Sequence, residues 1–192
     1  MPSKNPQQAK WNQRYQNTQT PNAPARVLID NRHLLPQQGD ALELACGLGG
    51  NALELARAGL RTQAWDISDV AIAKLQHLAR QQQLPLQACC IDLKPQSLAV
   101  ASFDLICVTG YLDRALCPAI SAALRPGGLL FYQTFSGAKH GTSGPSNPDF
   151  VLQQGELLRL FCRLTPLVYR EPLHDQDPDS NRPEQAYLVA RR

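Results

Sequence analysis

The chain of 192 residues lacks the features of a membrane or secreted protein. No apolar run approaches the roughly 20 residues that a membrane-spanning helix needs. The first eight residues, MPSKNPQQ, do not contain the apolar core of a secretory signal peptide. We therefore expect a protein that has no membrane partner and stays in the cytoplasm.

Clusters of basic residues are also missing, although the formal net charge is +3. The 19 basic residues are scattered along the chain, and the only run is Arg191-Arg192 at its end. Proteins that bind nucleic acids usually concentrate their basic residues on one face. The charge pattern gives no support to a nucleic-acid partner, and we expect none.

The six cysteines do not have the spacing of a zinc site, so we expect no metal. Most of them lie in apolar runs, where a thiol behaves as a small hydrophobic side chain. Free thiols persist in reducing compartments, which agrees with the cytoplasm. The adjacent pair Cys89-Cys90 has two interpretations: a redox or metalloid-binding pair, or the plain interior of a strand.

From residue 40 onwards the chain alternates short apolar segments with longer segments of helical periodicity. Five strands are predicted at 41–45, 62–66, 86–92, 103–109 and 129–135. Intervening helices are predicted at 51–58, after a cap at Ser68, and at 112–124. Strands that are apolar throughout and alternate with helices indicate a mostly parallel sheet covered on both faces, a three-layer α/β sandwich of the Rossmann-like kind. Such sheets bind ligands at the carboxyl ends of their strands, where the strand order reverses.

The segments on either side complete one domain of 192 residues. Residues 1–36 form an N-terminal helical cap, with helices predicted at 4–16 and 24–35, and residues 40–135 form the core. The loop at 136–148 is long enough to act as a lid. A helix at 152–161 and two strands at 164–170 and 185–191 follow, and the strands are predicted to form an antiparallel hairpin. The sheet then has seven strands, with an antiparallel strand at the C-terminal end.

The first predicted strand runs into a glycine-rich turn, Cys46-Gly47-Leu48-Gly49-Gly50-Asn51. Glycines let the backbone turn tightly and approach a ligand at the start of the next helix. With Ala52 the turn also fits the pattern G-x-G-x-x-A, so a dinucleotide-binding protein remains an alternative.

Acidic residues lie in or at the end of three successive predicted strands. Asp66 ends the second strand, where a carboxylate can accept hydrogen bonds from both hydroxyls of a ribose. Asp92 ends the third strand, where its carboxylate could accept a hydrogen bond from an adenine amino group. Glu43, inside the first strand, needs either backbone amides to cap or a cation to meet. The alternative for each acid is a helix cap or a surface charge.

Three runs resemble motifs of the class I S-adenosylmethionine-dependent methyltransferases. The run ALELACGLGGNALELARAGLRTQAWDIS is similar to their first two motifs. FDLICVTGYL resembles their fourth strand, and ALRPGGLLFYQTF their Gly-Gly turn and fifth strand. The N-terminal WNQRY resembles a motif of the tellurite-resistance (TehB-like) branch. The resemblance covers residues 11–135 and implies the cofactor S-adenosylmethionine, with S-adenosylhomocysteine as product.

The same resemblance assigns cofactor-binding roles. It implies contacts from Trp11, Tyr15, Glu43, Ala45, Cys46, Gly47, Gly49, Asn51, Asp66, Ile67, Ser68, Asp92, Leu93, Thr109 and Gly110. The segment 43–49 surrounds the methionine part, Asp66 holds the ribose, and Asp92 with Leu93 faces the adenine. Thr109 and Gly110 border the methyl group, and the N-terminal aromatic residues close over the cofactor. Ala45 replaces the first glycine of the family motif, and we expect its methyl group to fit.

Transfer of a methyl group to a small-molecule acceptor, such as a metalloid oxyanion or a thiol, is the activity that the resemblance implies. An activated sulfonium needs mainly alignment with the attacking lone pair. We expect Tyr15 and Tyr111 to border the acceptor without a dedicated base. Other candidates near this position are Arg14, Asp113, Arg114 and His140. The alternatives are an NAD-dependent oxidoreductase and a non-catalytic nucleoside-binding subunit on the same fold.

Overall fold

A seven-stranded sheet forms the centre of the protein, whose structure is a computed structural model that describes residues 5–137, 145, 147–172 and 184–192. The strand order is β3-β2-β1-β4-β5-β7-β6. The first five strands pair in parallel, and β7 runs antiparallel to both β5 and β6. The predicted fold class and the antiparallel C-terminal hairpin are confirmed.

The described elements alternate as the periodicity predicts. The strands are β1 (Asp40–Leu44), β2 (Arg61–Asp66), β3 (Leu86–Cys90), β4 (Phe103–Thr109), β5 (Leu124–Phe135), β6 (Thr165–Arg170) and β7 (Gln185–Arg191). The α-helices are α1 (Pro6–Gln16), α2 (Arg26–Asp30), α3 (Gly50–Arg57), α4 (Asp69–Gln81), α5 (Cys117–Ala123) and α6 (Glu156–Leu160). Short 3-10 turns lie at Arg32–Leu34, Pro95–Ser97, Arg114–Leu116 and Pro148–Phe150.

Helices cover both faces of the sheet, because side chains alternate between its faces along each strand. On one face α2, α3 and α4 pack over side chains such as Ala41 and Leu105. On the other face α5 and α6 pack over Leu42 and Ile106. None of the helices in the described part of the chain is both long and apolar enough to cross a membrane.

The helix predicted at 112–124 is shorter, and the fifth strand begins earlier than predicted. Pro118 lies in the first turn of α5, the only turn in which a residue without a backbone N–H fits well. The segment before it forms a 3-10 turn, Arg114–Leu116. Leu124, the first residue of β5, pairs with Phe103 of β4 across a register shift, and Arg192 exchanges backbone hydrogen bonds with Gly127 and Gly128.

Two other predicted helices are also shorter. The helix predicted at 24–35 ends at Asp30, because the Asn31 side chain donates to the carbonyl of Val27 at 2.8 Å and its backbone leaves the helical conformation. The helix predicted at 152–161 begins only after Gly155, which has φ of +66°. Most of the loop predicted at 136–148, His140 included, lies outside the described residues.

Candidate functional site

The strand order reverses between β1 and β4, which are neighbours in the sheet although β2 and β3 lie between them in sequence. The glycine-rich loop therefore lies at the switch point where α/β sheets bind their ligands. Its backbone has positive φ at Ala45 (51°), Gly47 (53°) and Gly49 (76°). Glycine adopts this region freely, whereas the Cβ of an L residue is crowded there. Ala45 adopts this region although its methyl group is disfavoured there.

The loop is held close to its neighbours, and side chains at its glycines would collide with them. A Cβ at Gly47 would lie 2.6 Å from the Tyr15 hydroxyl oxygen, and one at Gly49 would overlap the side chain of Leu75. A Cβ at Gly50 would overlap the carbonyl oxygen of Asn22. The glycines are needed here for close packing as well as for the turn.

Glu43 projects from β1 and is 1% exposed. Its Oε2 accepts a 2.7 Å hydrogen bond from the backbone N–H of Ala52, and its Oε1 accepts one of 2.7 Å from Asn51 Nδ2. Burial, with a smaller contribution from the nearby Asp66, raises the pKa of Glu43 to about 8 against these two hydrogen bonds. The carboxylate thus caps the first turn of α3, and no Lys or Arg of the described residues pairs with it.

Asn51 connects three parts of the site. One hydrogen of its side-chain amide goes to Glu43, the other to Thr109 Oγ1 at 2.9 Å, and its Oδ1 accepts from the Ala25 backbone N–H at 2.7 Å. Both amide hydrogens already bond to protein atoms, so Asn51 would influence a bound ligand through Glu43 and Thr109.

Asp66 ends β2 and is 6% exposed. Its Oδ2 accepts from the Gly47 N–H at 2.7 Å, and its Oδ1 from the Ser68 N–H at 2.8 Å. Burial raises the pKa of Asp66, and the backbone donors oppose that shift. No described cation pairs with this carboxylate either. Two buried carboxylates without a cation therefore lie around the glycine loop.

Ser68 caps α4 as predicted, since its Oγ accepts from the Ala71 N–H at 3.2 Å. The same hydroxyl lies 2.7 Å from Asn12 Oδ1, which ties α1 to α4. Asp92 lies beyond the end of β3 with its side chain 51% exposed, 3.6 Å from Lys94 Nζ. Ile67 and Leu93 are half-buried at the same edge of the sheet.

Helix α1 brings its aromatic residues over the glycine loop. Trp11 and Tyr15 are four residues apart on one face of the helix and stack with ring centroids 5.9 Å apart. The guanidinium of Arg14 lies 5.3 Å from the Trp11 ring centroid. Burial raises the pKa of Tyr15 to about 12, helped by the charge of Asp66.

The opposite side of the switch point is formed by the end of β4. Thr109 and Gly110 lie there, and a Cβ at Gly110 would meet no atom within 4 Å, so space is open beside it. Tyr111 follows, and its carbonyl accepts a 2.9 Å hydrogen bond from the buried Tyr132 hydroxyl. Burial raises the pKa of Tyr111 to about 12, with Asp113 the next contribution.

The remaining candidates have structural contacts. Arg114 binds both carboxylate oxygens of Glu156, at 2.7 and 3.1 Å, and the carbonyls of Asp149 and Val151. Asp113 caps the turn at Arg114–Leu116. Cys90 is exposed and contacts the Ile67 carbonyl, whereas Cys89 is half-buried against the core. No group of metal-binding side chains occurs among the described residues.

The sequence analysis missed two side chains that hold the cap in place. Lys74 donates from Nζ to the carbonyls of Tyr15, Gln16 and Thr18 at 2.8 to 3.0 Å and so closes the C-terminal end of α1. Gln133 is buried in β5, and its Oε1 accepts from the Val27 N–H at 2.7 Å. For Gln133, the sequence contained one signal of such a role: it is a polar residue inside an otherwise apolar strand.

Comparison with known proteins identifies the core of the chain. Residues 41–128 match the family model of a methyltransferase domain. This range includes the glycine loop, Asp66, Asp92 and the end of β4.

Individual relatives are more distant. Hemagglutinin 1 of Eikenella corrodens is 32% identical over 138 residues, which cover 68% of this chain and 45% of that protein. TehB from Haemophilus influenzae superimposes with a TM-score of 0.70 at 21% identity, covering 96% of this chain and 66% of that one. A third protein is the 1,6-didemethyltoxoflavin-N1-methyltransferase of Burkholderia thailandensis, whose structure holds S-adenosylhomocysteine. It superimposes with a TM-score of 0.63 at 18% identity and covers 86% of this chain and 76% of that one.

The chain thus spans less than half the length of Hemagglutinin 1 and about two thirds of TehB. At these identities the structural neighbours show the fold alone, a Rossmann-like sheet.

Proposed function

We propose that the chain transfers a methyl group from S-adenosylmethionine to a small-molecule acceptor, since residues 41–128 match a methyltransferase domain and one structural neighbour holds S-adenosylhomocysteine. The observation that carries the proposal is the pair of buried carboxylates, Glu43 and Asp66, at the glycine loop without a described cation. Burial without a cation disfavours the ionised form and raises the pKa of both carboxyl groups, and a ligand that carries a sulfonium and an ammonium group would stabilise their ionised forms.

The residues around the switch point fit the parts of such a cofactor. Asp66 has lone pairs left on both oxygens after its two backbone contacts, so it can accept from ribose hydroxyls. Asp92 and Leu93 stand at the end of β3, where the adenine would lie. The Tyr15 hydroxyl lies against Gly47, where a Cβ would meet it at 2.6 Å, so this side chain is within reach of a ligand on the glycine loop. We expect the methionine part of the cofactor to lie along the glycine loop beside Tyr15.

When bound, S-adenosylmethionine supplies a methyl group on a positively charged sulfur, an electrophile that needs no further activation. The protein has to hold the acceptor in line with it and keep water away. The open space beside Gly110, bordered by Tyr111 and Thr109, is where we place the acceptor. We expect Trp11 and Tyr15, which stack on each other in α1, to close over the cofactor.

The two tyrosines favour an acceptor that does not need a base. A general base works best with a pKa near the working pH, whereas burial raises the pKa of both Tyr15 and Tyr111 to about 12. Near neutral pH both hydroxyls stay protonated and can donate hydrogen bonds to the acceptor. An acceptor with an exposed lone pair, such as a metalloid oxyanion or a thiolate, fits this site best.

The compartment that suits this chemistry is the cytoplasm. All six cysteines are free thiols in the structure, which is the state kept by a reducing environment.

An assay with methyl-labelled S-adenosylmethionine tests the proposal. Selenite, tellurite, a small thiol and a small amine would be offered as acceptors, and the labelled product and S-adenosylhomocysteine would be measured. We expect label in at least one of the soft acceptors, at a rate that Asp66→Ala lowers at least tenfold. A folded protein that binds the cofactor but methylates none of them would favour the non-catalytic alternative.

A further inference from the structure

The side chains at the switch point form a hydrogen-bonded network whose centre is Asn51. It lies at the start of α3, is 5% exposed, and contacts one residue from each of β1, β4 and the segment before α2. The Ala25 backbone N–H can only donate, so the atom that faces it must be the amide oxygen of Asn51. The amide nitrogen therefore faces Glu43 and Thr109, and its two hydrogens are divided between them.

This orientation fixes the hydrogen-bonding state of both partners. Glu43 Oε1 and Oε2 each accept one hydrogen bond, from Asn51 and from the Ala52 N–H, and both bonds favour the ionised form of this carboxyl group over its protonated form. Thr109 Oγ1 accepts from Asn51, so its own hydrogen is free to donate elsewhere. Thr109 is half-buried and is followed by Gly110, beside which space is open.

We propose that Asn51 is a positioning residue of the methyl-transfer site: it holds the Glu43 carboxylate for a cationic cofactor and turns the Thr109 hydroxyl hydrogen toward the open space at the end of β4. The inference rests on the proposed function. It assigns a hydrogen-bonding arrangement to two groups of that site, the Glu43 carboxyl group and the Thr109 hydroxyl group. Asn51 acts through Glu43 and Thr109 and does not itself need to touch the cofactor.

The surroundings of Glu43 make its ionisation sensitive to Asn51. The described titratable groups that face Glu43 are Asp66 at the end of β2, Cys46 in the loop, Cys107 in β4 and Tyr15 in α1. All of them are neutral or negative, so none favours the ionised form of Glu43. The hydrogen bonds from Asn51 and Ala52 are what lower the pKa of this carboxyl group against burial.

Gln133 provides a matched control within the same cap. Like Asn51, it is a buried amide whose oxygen accepts a 2.7 Å hydrogen bond from a backbone N–H at the start of α2, that of Val27. Its Nε2 donates to Gln185 Oε1 at 2.5 Å, and no bond joins it to Glu43 or Thr109. Gln133→Ala therefore releases α2 without removing a donor from Glu43.

Asn51→Asp separates the two roles of Asn51 itself. The substituted side chain can still accept from the Ala25 N–H, but it places an oxygen where Nδ2 now lies 2.7 Å from Glu43 Oε1. Two carboxylates at that distance share a proton, so the pKa of the pair rises. Asn51→Ala removes both the acceptor and the donor.

The experiment follows Glu43 and the cofactor in wild type, Asn51→Asp, Asn51→Ala and Gln133→Ala. Carbon-13 NMR would monitor the Glu43 carboxyl carbon from pH 5 to 10, with Glu43→Gln identifying its signal. Calorimetry would give the dissociation constant of S-adenosylmethionine over the same range. Circular dichroism would show which variants are folded, and only those would be compared.

We expect both Asn51 variants to titrate Glu43 at least about one pH unit higher than wild type and to bind the cofactor about tenfold more weakly at pH 7. Gln133→Ala should keep the wild-type titration. An unchanged Glu43 titration in Asn51→Asp, or an equal shift in Gln133→Ala, would overturn the inference and leave Asn51 as an anchor for α2. Absence of cofactor binding in wild type would refute the proposed function instead, and the NMR titration would still decide whether Asn51 holds Glu43.

Discussion

Gly47 donates its backbone N–H to Asp66 Oδ2 at 2.7 Å, so the end of β2 holds the loop that follows β1. The other carboxylate oxygen of Asp66 accepts from the Ser68 N–H at the start of α4. One buried side chain thus joins the turns after two neighbouring strands. The same carboxylate is the group that we propose for the ribose, so its structural and ligand-binding roles can be tested together.

Asp66→Asn should weaken this connection. An asparagine offers one accepting oxygen to two backbone donors, so one N–H faces an amide group that cannot accept. We expect the free energy of unfolding to fall by about 1–3 kcal/mol, measured by urea denaturation. Asp69→Asn, at an exposed position in the first turn of α4, is the control and should cost less than about 1 kcal/mol. Equal effects at the two positions would contradict this account of Asp66.

Ala45→Gly should be tolerated or stabilising, which is unusual for a substitution next to a buried strand. Ala45 has φ of 51°, a region that costs an L residue about 1–2 kcal/mol and glycine little. Against this, glycine loses about 0.5–1 kcal/mol more on folding because the unfolded chain is more flexible. We expect the melting temperature to stay the same or rise. Ala41→Gly, buried in β1, should lower it. A drop in Ala45→Gly as large as that in Ala41→Gly would show that the strain is absent.

Gly47→Ala tests how closely Tyr15 lies on the loop. The added Cβ would lie 2.6 Å from the Tyr15 hydroxyl oxygen and 3.1 Å from its Cζ, so α1 or the loop has to shift. We expect a loss of about 1–3 kcal/mol in the wild-type background, from the collision together with the positive φ. In a Tyr15→Ala background only the strain of the positive φ remains, so Gly47→Ala should lower the free energy of unfolding by less than it does in the wild-type background. A double-mutant cycle by urea denaturation measures the difference, and additivity of the two changes would mean that Tyr15 does not rest on Gly47.

Glu43 should make stability depend on pH in a defined direction. Burial raises the pKa of this carboxyl group in the folded protein to about 8, from an ordinary value of 4.5. The folded state then holds a proton that the unfolded state has already lost, so the free energy of unfolding falls as pH rises from about 4.5 to about 8 and levels off above. Glu43→Gln removes this contribution, while that of Asp66 remains in both proteins.

The measurement is the free energy of unfolding of wild type minus that of Glu43→Gln at several pH values. We expect this difference to decrease between pH 5 and 8. Glu54→Gln, at a half-buried position on α3, serves as the control. A difference that rises with pH would mean that the hydrogen bonds from Asn51 and Ala52 outweigh burial.

Local patterns were sufficient to predict most of the fold. Alternation of apolar strands and helices predicted the parallel core, and Ser68 caps α4 as its position before an apolar helix indicated. Predictions near the ends of elements were weaker, because the end of α2 depends on how Asn31 bonds its own helix. The early start of β5 depends on the pairing of Leu124 with Phe103 and on the backbone bonds of Arg192 to Gly127 and Gly128, contacts between distant residues that no local pattern shows.

The sequence predicted the types of residue at the candidate site better than the hydrogen bonds that join them. An acid three residues before a glycine turn indicated that Glu43 caps amides or meets a cation, and it caps the Ala52 N–H. Nothing in the sequence showed that Asn51 joins Glu43 to Thr109, or that Lys74 closes α1, because these bonds join residues far apart in the chain. The roles of these residues in binding the cofactor stay predictions.

The most direct test of the central claim is a calorimetric titration of the purified protein with S-adenosylmethionine and, separately, with NADH, in wild type and Asp66→Ala. We predict micromolar binding of S-adenosylmethionine, lost or at least tenfold weaker in Asp66→Ala, and no binding of NADH. Binding of NADH without S-adenosylmethionine would contradict the account and place the glycine loop in a dinucleotide-binding site.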